Sequence, residues 1–258
     1  IFTFGMLLTY SILSNQANQW VIAFYGFGQE ASFFAPFTAL TKSKYNVLVI
    51  DLPYAFHPNK ISIADFQHFL EALFVKHQIE KVIGISYSMG SRLNVCMATI
   101  FPQKISQLFL IAPDGIRMRW WTTIATKTYL GHLVFRFFTN HPTAYIRGIH
   151  LLFQMGLMPK SLYTFSKWHM RDATTRMKVY HSWMNLRSLI PNLNIFERMI
   201  QKHAFPVVAY FGLQDKIINH ACRKQLARKV PSANIILLNK GHMLADAELF
   251  ADITRRIV

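Results

Sequence analysis

Two kinds of residue are scarce in this chain, and their scarcity narrows the protein class first. Cysteine occurs only as Cys96 and Cys222, far apart and both in segments of helical pattern. Two such residues form no disulfide framework; they fit a reducing compartment, so a cytoplasmic location is expected. Acidic residues are the second shortage: 12 against 28 lysines and arginines, a formal net charge of +16. An imbalance of that size suits an acidic partner, whether an anionic substrate, an anionic membrane surface or nucleic acid, although a generally basic surface without a partner explains it as simply. The basic residues run to doublets such as Arg223-Lys224 and Arg255-Arg256, with no basic tail or recognition helix. A nucleic-acid partner is therefore not expected, while peripheral association with a membrane stays open.

Other absences exclude more. No charged residue precedes Glu30, but Asn15, Gln16, Asn18 and Gln19 interrupt the apolar stretch before it reaches a spanning length. The positive start of a signal peptide is missing too. The chain opens on Ile1 rather than methionine, so a preceding leader or first strand stays open. The 11 histidines are dispersed with no His-x-x-x-His pair, and the two cysteines lack ligand spacing, so no metal is expected. No phosphate-cradling glycine loop occurs, and no cofactor is expected.

What remains is a chain able to bury a large core. It is 258 residues long and 52% hydrophobic, with 14% aromatic residues, which excludes a disordered chain and fits one large domain or a core with an insertion. The stretch around which it is organised runs from Lys81 to Leu93. Val82 to Tyr87 is an apolar run of strand type, and Arg92 to Ile100 carries apolar residues at helical spacing. Between them Ser86-Tyr87-Ser88-Met89-Gly90 makes a sharp strand-to-helix turn with Ser88 at its apex. Such a turn strains the apex backbone by about 1–3 kcal/mol and demands small residues two before and two after, which Ser86 and Gly90 supply.

Along the chain, strand patterns fall at Met6–Leu13, Trp20–Tyr25, Tyr45–Asp51, Val82–Tyr87, Gln107–Ala112, Pro206–Phe211 and Asn234–Leu238. Helical patterns fall between several of them, at Ile61–His77, Arg92–Ile100 and His220–Lys229, and a last one covers about Leu244–Ile257. Strands alternating with helices indicate a mainly parallel sheet, an α/β fold with helices flanking it. The rhythm breaks between Ile116 and Ala204, where helices are predicted at Trp120–Phe138, Thr143–Met155, Lys160–Met170, Thr174–Leu189 and Leu193–His203. This segment holds Trp120, Trp121, Trp168 and Trp183 and many arginines, with only Asp172 and Glu197 as acids. Its aromatics are expected chiefly to fill the segment's own core.

The turn at Ser88 resembles the nucleophile elbow Gly-x-Ser-x-Gly of the α/β-hydrolase family, with Ser86 replacing the first glycine. Tyr25-Gly26-Phe27-Gly28 is similar to the family's His-Gly-x-Gly loop, with Tyr25 in the histidine position. Gly212-Leu213-Gln214-Asp215 and Gly241-His242 match its acid and histidine loops, each after a predicted strand. The resemblance covers nearly the whole chain. It implies an α/β-hydrolase core over 1–115 and 205–258 with an all-helical cap over 116–204. It implies Ser88 as nucleophile, His242 as base and Asp215 as acid, with Asp114 the alternative acid. It also implies an oxyanion hole from the backbone N–H groups of Phe27 and Met89, with Tyr25 and Tyr87 as pocket candidates. His57, in the loop after the third strand, is a further pocket candidate or simply solvated. The activity implied is ester or thioester cleavage on a small acyl substrate with an apolar body; a binding scaffold without catalysis is the alternative, given the two departures. Oligomeric state is not legible.

Overall fold

The computed structural model describes residues 8–14, 16–41, 44–52, 61–117, 120–158 and 160–257. Its strands are β1 (Tyr10–Ser14), β2 (Gln19–Phe24), β3 (Tyr45–Ile50), β4 (Val82–Tyr87), β5 (Ile105–Ile111), β6 (Val207–Gly212) and β7 (Asn234–Leu238). They form one seven-stranded sheet in the order β1-β3-β2-β4-β5-β6-β7. Only β1 runs antiparallel to its neighbour; the other pairings are parallel. Parallel strands are covered on both faces and read as continuous apolar runs. β4 and β6 are buried at every position. The strand expected over Met6–Leu13 is observed at Tyr10–Ser14, and the first two positions of that expectation lie outside the described residues.

The helices are α1 (Ala35–Thr41), α2 (Ile63–Lys76), α3 (Gly90–Ile100), α4 (Trp120–Lys127), α5 (Tyr129–Asn140), α6 (Pro142–Gln154), α7 (Lys160–His169), α8 (Ala173–Asn185), α9 (Leu193–His203), α10 (His220–Lys229) and α11 (Ala247–Arg256). α1 is not anticipated by the sequence analysis. Side-chain alternation along β4 shows which helices cover which face. Ser86 bonds Asn94 and Ser91 of α3, so the even positions face α3. Tyr87, pointing the other way, stacks on Phe33 at 4.9 Å, and Phe33 in turn meets Phe250 of α11. Phe37 and Phe250 tie α1 to α11 with ring centroids 6.2 Å apart. Both rings are fully buried, and such pairs add about 0.5–1.5 kcal/mol beyond area burial. α2 starts at a capping box: Ser62 Oγ accepts from the Asp65 N–H, and Asp65 Oδ2 accepts from the Ser62 N–H.

The chain separates into two compact units. The first comprises 1–52, 62–117 and 189–258 and holds the whole sheet; the second comprises 53–61 and 118–188. α9 thus groups with the sheet, whereas its place in the sequence predicts it among the inserted helices over 116–204. Packing explains the difference, since α9 lies against α3 and α10 with Phe196 fully buried. Within the second unit, the single helix expected over Trp120–Phe138 is two. Thr128 leaves the helical region (φ −100°, ψ 149°) and caps α5 by accepting from the Gly131 N–H. A Cβ at Gly131 would stand 2.1 Å from the Ile124 carbonyl oxygen, so the two helices meet too closely for any other residue. Phe135 packs against Tyr180 and Trp183 of α8, each half-buried, whereas Tyr129, Phe137 and Trp168 are exposed, so the expectation that the aromatics chiefly fill the unit's core is met only in part.

Gly84, midway along β4, tests how closely α3 sits on the sheet. A Cβ there would come within 2.2 Å of Asn94 Oδ1 and 2.5 Å of Leu108 Cδ2. Gly84→Ala should therefore lower stability by about 1–3 kcal/mol through overpacking. In urea this appears as a shifted midpoint with unchanged slope; an unchanged midpoint would contradict the packing described.

Candidate active site

The turn between β4 and α3 is built as the local sequence requires. Ser88 has a left-handed backbone, φ +48°. That conformation costs a non-glycine residue of order 1–2 kcal/mol and persists only where surrounding bonds impose it. They do so here: the Ser88 N–H donates to the Ile111 carbonyl at 2.8 Å, and the Ser88 carbonyl accepts from the N–H groups of Ser91 (3.0 Å) and Asp114 (3.1 Å). Gly90 is required two residues later. A Cβ on it would lie 2.3 Å from the Phe24 carbonyl oxygen and 2.6 Å from that of Tyr25. On the other side of the apex, Ser86 does more than stay small. Its Oγ accepts from Asn94 Nδ2 at 3.0 Å and lies 3.1 Å from Ser91 Oγ and 3.3 Å from the Phe109 carbonyl. The hydroxyl thus pins α3 to the strand that leads into Ser88.

The loops after β6 and β7 are drawn together at Gly212. A Cβ there would sit 2.5 Å from the carbonyl oxygens of both Lys240 and Gly241. The Leu213 N–H donates to Leu238 and the Gln214 N–H to Lys240, so the two loops share a backbone ladder. Asp215 and His242 emerge from those loops. His242 Nδ1 stands 2.8 Å from Asp215 Oδ2, and His242 Nε2 stands 3.2 Å from Ser88 Oγ. Because the carboxylate oxygen accepts, the bonding pattern assigns the imidazole proton to Nδ1 and leaves Nε2 as acceptor for the serine hydroxyl. Asp215 is held from its other side: Oδ1 accepts from the N–H groups of Ile217 (2.8 Å) and Ile218 (2.9 Å). Its side chain is fully buried and that of His242 is 18% exposed. This arrangement can take a proton from a nucleophile and hold the resulting imidazolium.

Asp114, the alternative acid, is engaged elsewhere. Arg92 Nε donates to Asp114 Oδ2 at 2.8 Å, and Arg92 is itself buried. The two tyrosines proposed as pocket candidates are both buried struts. The Tyr25 hydroxyl donates to Asp51 Oδ1 at 3.2 Å and accepts from the Leu52 N–H at 3.0 Å, fastening the end of β2 to the end of β3. The Tyr87 hydroxyl lies 3.1 Å from the His242 carbonyl and 3.3 Å from Met243 Sδ, and its ring sits 5.5 Å from the imidazole. Burial and the Asp215 charge push the Tyr87 phenol well above the usual tyrosine range, so it stays a neutral donor.

The loop after β2 passes against Ser88. A Cβ on Gly26 would touch the Tyr87 ring at 2.7 Å and Ser88 Cβ at 3.1 Å. The loop turns back through a bond from the Gln29 N–H to the Gly26 carbonyl, with Gly28 at φ +79°. Phe27 follows Gly26, and Met89 follows Ser88 at the start of α3. His57 lies outside the described residues. Among them, no group of three His, Cys, Asp or Glu residues could hold a metal ion. The structural roles of Asn94, Ser91 and Arg92 are not predicted from the sequence. The signal for Asn94 was available: a polar residue on the buried face of a helix that continues Val95-Cys96-Met97-Ala98.

Comparison with known proteins bears on the architecture. No family model matches the chain. The uncharacterized hydrolase YugF of Bacillus subtilis (strain 168) is 20% identical over 255 residues, covering 94% of this chain and 90% of that protein. A carboxylesterase structure from the thaumarchaeon Nitrososphaera gargenis superposes with a TM-score of 0.66 at 16% identity, over 96% of this chain and 93% of the other. MenH from S. aureus superposes with a TM-score of 0.64 at 17% identity, over 95% and 96% of the two chains. The sheet order, the left-handed serine after β4 and these superpositions, which span almost the whole chain, lead to one conclusion: the protein has the α/β-hydrolase fold.

Proposed function

We propose that the protein is a serine hydrolase that cleaves a carboxylic ester or thioester through an acyl-enzyme. The observation that carries this reading is the bonded series Ser88 Oγ, His242 Nε2, His242 Nδ1, Asp215 Oδ2. A hydroxyl is a weak nucleophile at its own pKa and needs a base within hydrogen-bond reach. In the first half-reaction Ser88 Oγ attacks the acyl carbon and its proton passes to His242 Nε2. His242 then gives that proton to the departing alkoxide or thiolate as the acyl C–O or C–S bond breaks. In the second half a water attacks the acyl-enzyme, His242 takes its proton, and the carboxylic acid leaves with Ser88 restored. The N–H groups of Phe27 and Met89 are the donors proposed for the developing oxyanion, worth about 2.7–4 kcal/mol each in such sites. Phe27, Met89 and Met243 neighbour the triad in sequence, which favours an acyl group with an apolar body. The hydrolase and carboxylesterase names of the similar proteins support the class of chemistry.

Ser88→Ala and His242→Ala should each reduce turnover of a p-nitrophenyl acyl ester by on the order of a million-fold. The circular dichroism of both variants should remain native. Active-site labelling by a fluorophosphonate should vanish in Ser88→Ala, and retention of more than a few per cent of either signal contradicts the assignment.

Exchange of the two candidate acids separates their roles. Asp215→Asn should lower kcat by about 10⁴-fold by removing the acceptor that orients the imidazole. Asp114→Asn should leave kcat within a few-fold but lower stability by about 1–3 kcal/mol, because a largely buried Arg92 loses its anionic partner. The opposite pattern would move the acid to Asp114.

Tyr87→Phe removes the hydroxyl that reaches the His242 backbone without changing the ring packing. The loss of one such bond, about 1 kcal/mol, should slow fluorophosphonate labelling by roughly five-fold while leaving the fold intact. An unchanged labelling rate would mean that the His242 loop is held without it.

A further inference from the structure

The surface of the second unit differs in kind from that of the first. Among the described residues, twelve of the nineteen exposed large hydrophobic side chains fall between Ile124 and Met177. In the first unit the exposed ones stand apart, Ile63 and Val75 at opposite ends of α2 and the others on different strands, helices and loops, which is normal for a protein surface. In the second they are ordered. On α5, Leu130, Leu133, Val134 and Phe137 are all exposed at spacings of three and four, one continuous stripe along the helix. On α6, Leu151, Leu152 and Met155 repeat the pattern up to its C-terminal cap. These stripes are not the faces that build the unit's interior. On α5 that role belongs to Phe135 and the buried Thr139, half a turn away, and on α6 to the buried Ile149. α5 is therefore apolar on two sides with Arg136 its one formal charge, a composition suited to burial on both.

Charge indicates what covers the stripes. Between Met118 and Ser188 there are ten lysines and arginines and a single acid, Asp172. Asp172 is already used, capping α8 and pairing with Arg171. Lys127 stands at the entrance to α5, and Arg136 and Arg147 lie beside the two stripes, all three exposed. A second copy of this chain seated on the same face would bring two strongly basic surfaces together, which opposes association. A surface combining exposed leucine, phenylalanine and methionine with unneutralised lysine and arginine matches the boundary of an anionic bilayer, where acyl chains accept the apolar stripe and headgroups accept the cations. We infer that α5 and α6 form a docking face for an anionic lipid bilayer, on which the protein lies peripherally. No helix among the described residues is long and apolar enough to cross a membrane, so the contact is interfacial. The inference is independent of the proposed chemistry, since it concerns binding and not turnover.

The test is co-sedimentation of the full chain with vesicles of phosphatidylcholine and phosphatidylglycerol (about 70:30) or phosphatidylcholine alone, at low and high salt. Binding is expected to the anionic vesicles and to weaken several-fold at high salt. The double substitution Leu133→Gln with Phe137→Gln should lower vesicle affinity at least five-fold. Val75→Gln, at an exposed apolar position on α2 in the first unit, should leave it unchanged. Circular dichroism and Tm of each variant identify any loss due to misfolding, and Arg136→Gln with Arg147→Gln provides a second, charge-only variant that should also weaken binding. Three results would overturn the inference: no sedimentation of the native chain with either vesicle, equal binding by native and doubly substituted protein, or concentration-dependent dimerisation that the double substitution abolishes in place of lipid binding.

Discussion

The close approach of three backbones at Gly90 is the constraint on which the site depends. The carbonyl oxygens of Phe24 and Tyr25 occupy the space a side chain would need, so β2, β4 and the first turn of α3 meet with no side chain between them. That contact aims the start of α3 at the sheet and forces the chain through Ser88 in a left-handed conformation. The strain at Ser88 is held by bonds from β5 and from the loop that follows it, so the position of Ser88 is set by three strands and a helix rather than by its own turn. Asp215 and His242 are positioned by a similar device, the approach of Gly212 to the backbone of Lys240 and Gly241. Rigid elements hold the groups that must not move, and each depends on a glycine where two main chains touch.

Much of this was legible in the residues. Continuous apolar runs such as Val82–Tyr87 and Pro206–Phe211 mark buried parallel strands, and glycines at turns after strands mark close approaches. Ser88, Asp215 and His242 each stand at such a point, and the fold brings them into one hydrogen-bonded series. What was not legible depends on partners remote in sequence. The break at Thr128 depends on how closely α4 and α5 pack at Gly131, which periodicity does not report. α9 carries its own amphipathic pattern but says nothing of which unit it covers. Tyr25 and Tyr87 flank the site motifs in sequence, but the sequence does not report that the Tyr25 hydroxyl bonds Asp51 and the Leu52 N–H, or that the Tyr87 hydroxyl reaches the His242 backbone.

The departures from the expected motif are compensated within the structure. Ser86 stands where a glycine is usual, and its hydroxyl is taken up by Asn94 of α3 and the neighbouring Ser91. Buried polar groups are costly unless bonded, so the extra oxygen is tolerated only because α3 supplies a donor at Asn94. Tyr25 in the histidine position likewise finds Asp51 and the Leu52 N–H. Arg92, buried beneath the loop after β5, is neutralised by Asp114. That pairing explains why a carboxylate one strand from the site is committed to the scaffold.

The order in which strands enter the sheet has a kinetic consequence. β5 and β6 are adjacent in the sheet, yet the second unit's main segment lies between them in the chain, so their pairing closes a loop of about 95 residues. Ser88 and His242 are 154 positions apart and lie on opposite sides of that closure. Strand pairings of such sequence separation come late and slowly, because chain entropy is lost before the contacts return it. A nascent or refolding chain can therefore complete β1 to β5 and the turn at Ser88 well before His242 stands beside Ser88. Ser88, Asp215 and His242 come together only with the final two strands, and a chain interrupted earlier is folded in large part with the hydrogen-bonded series incomplete.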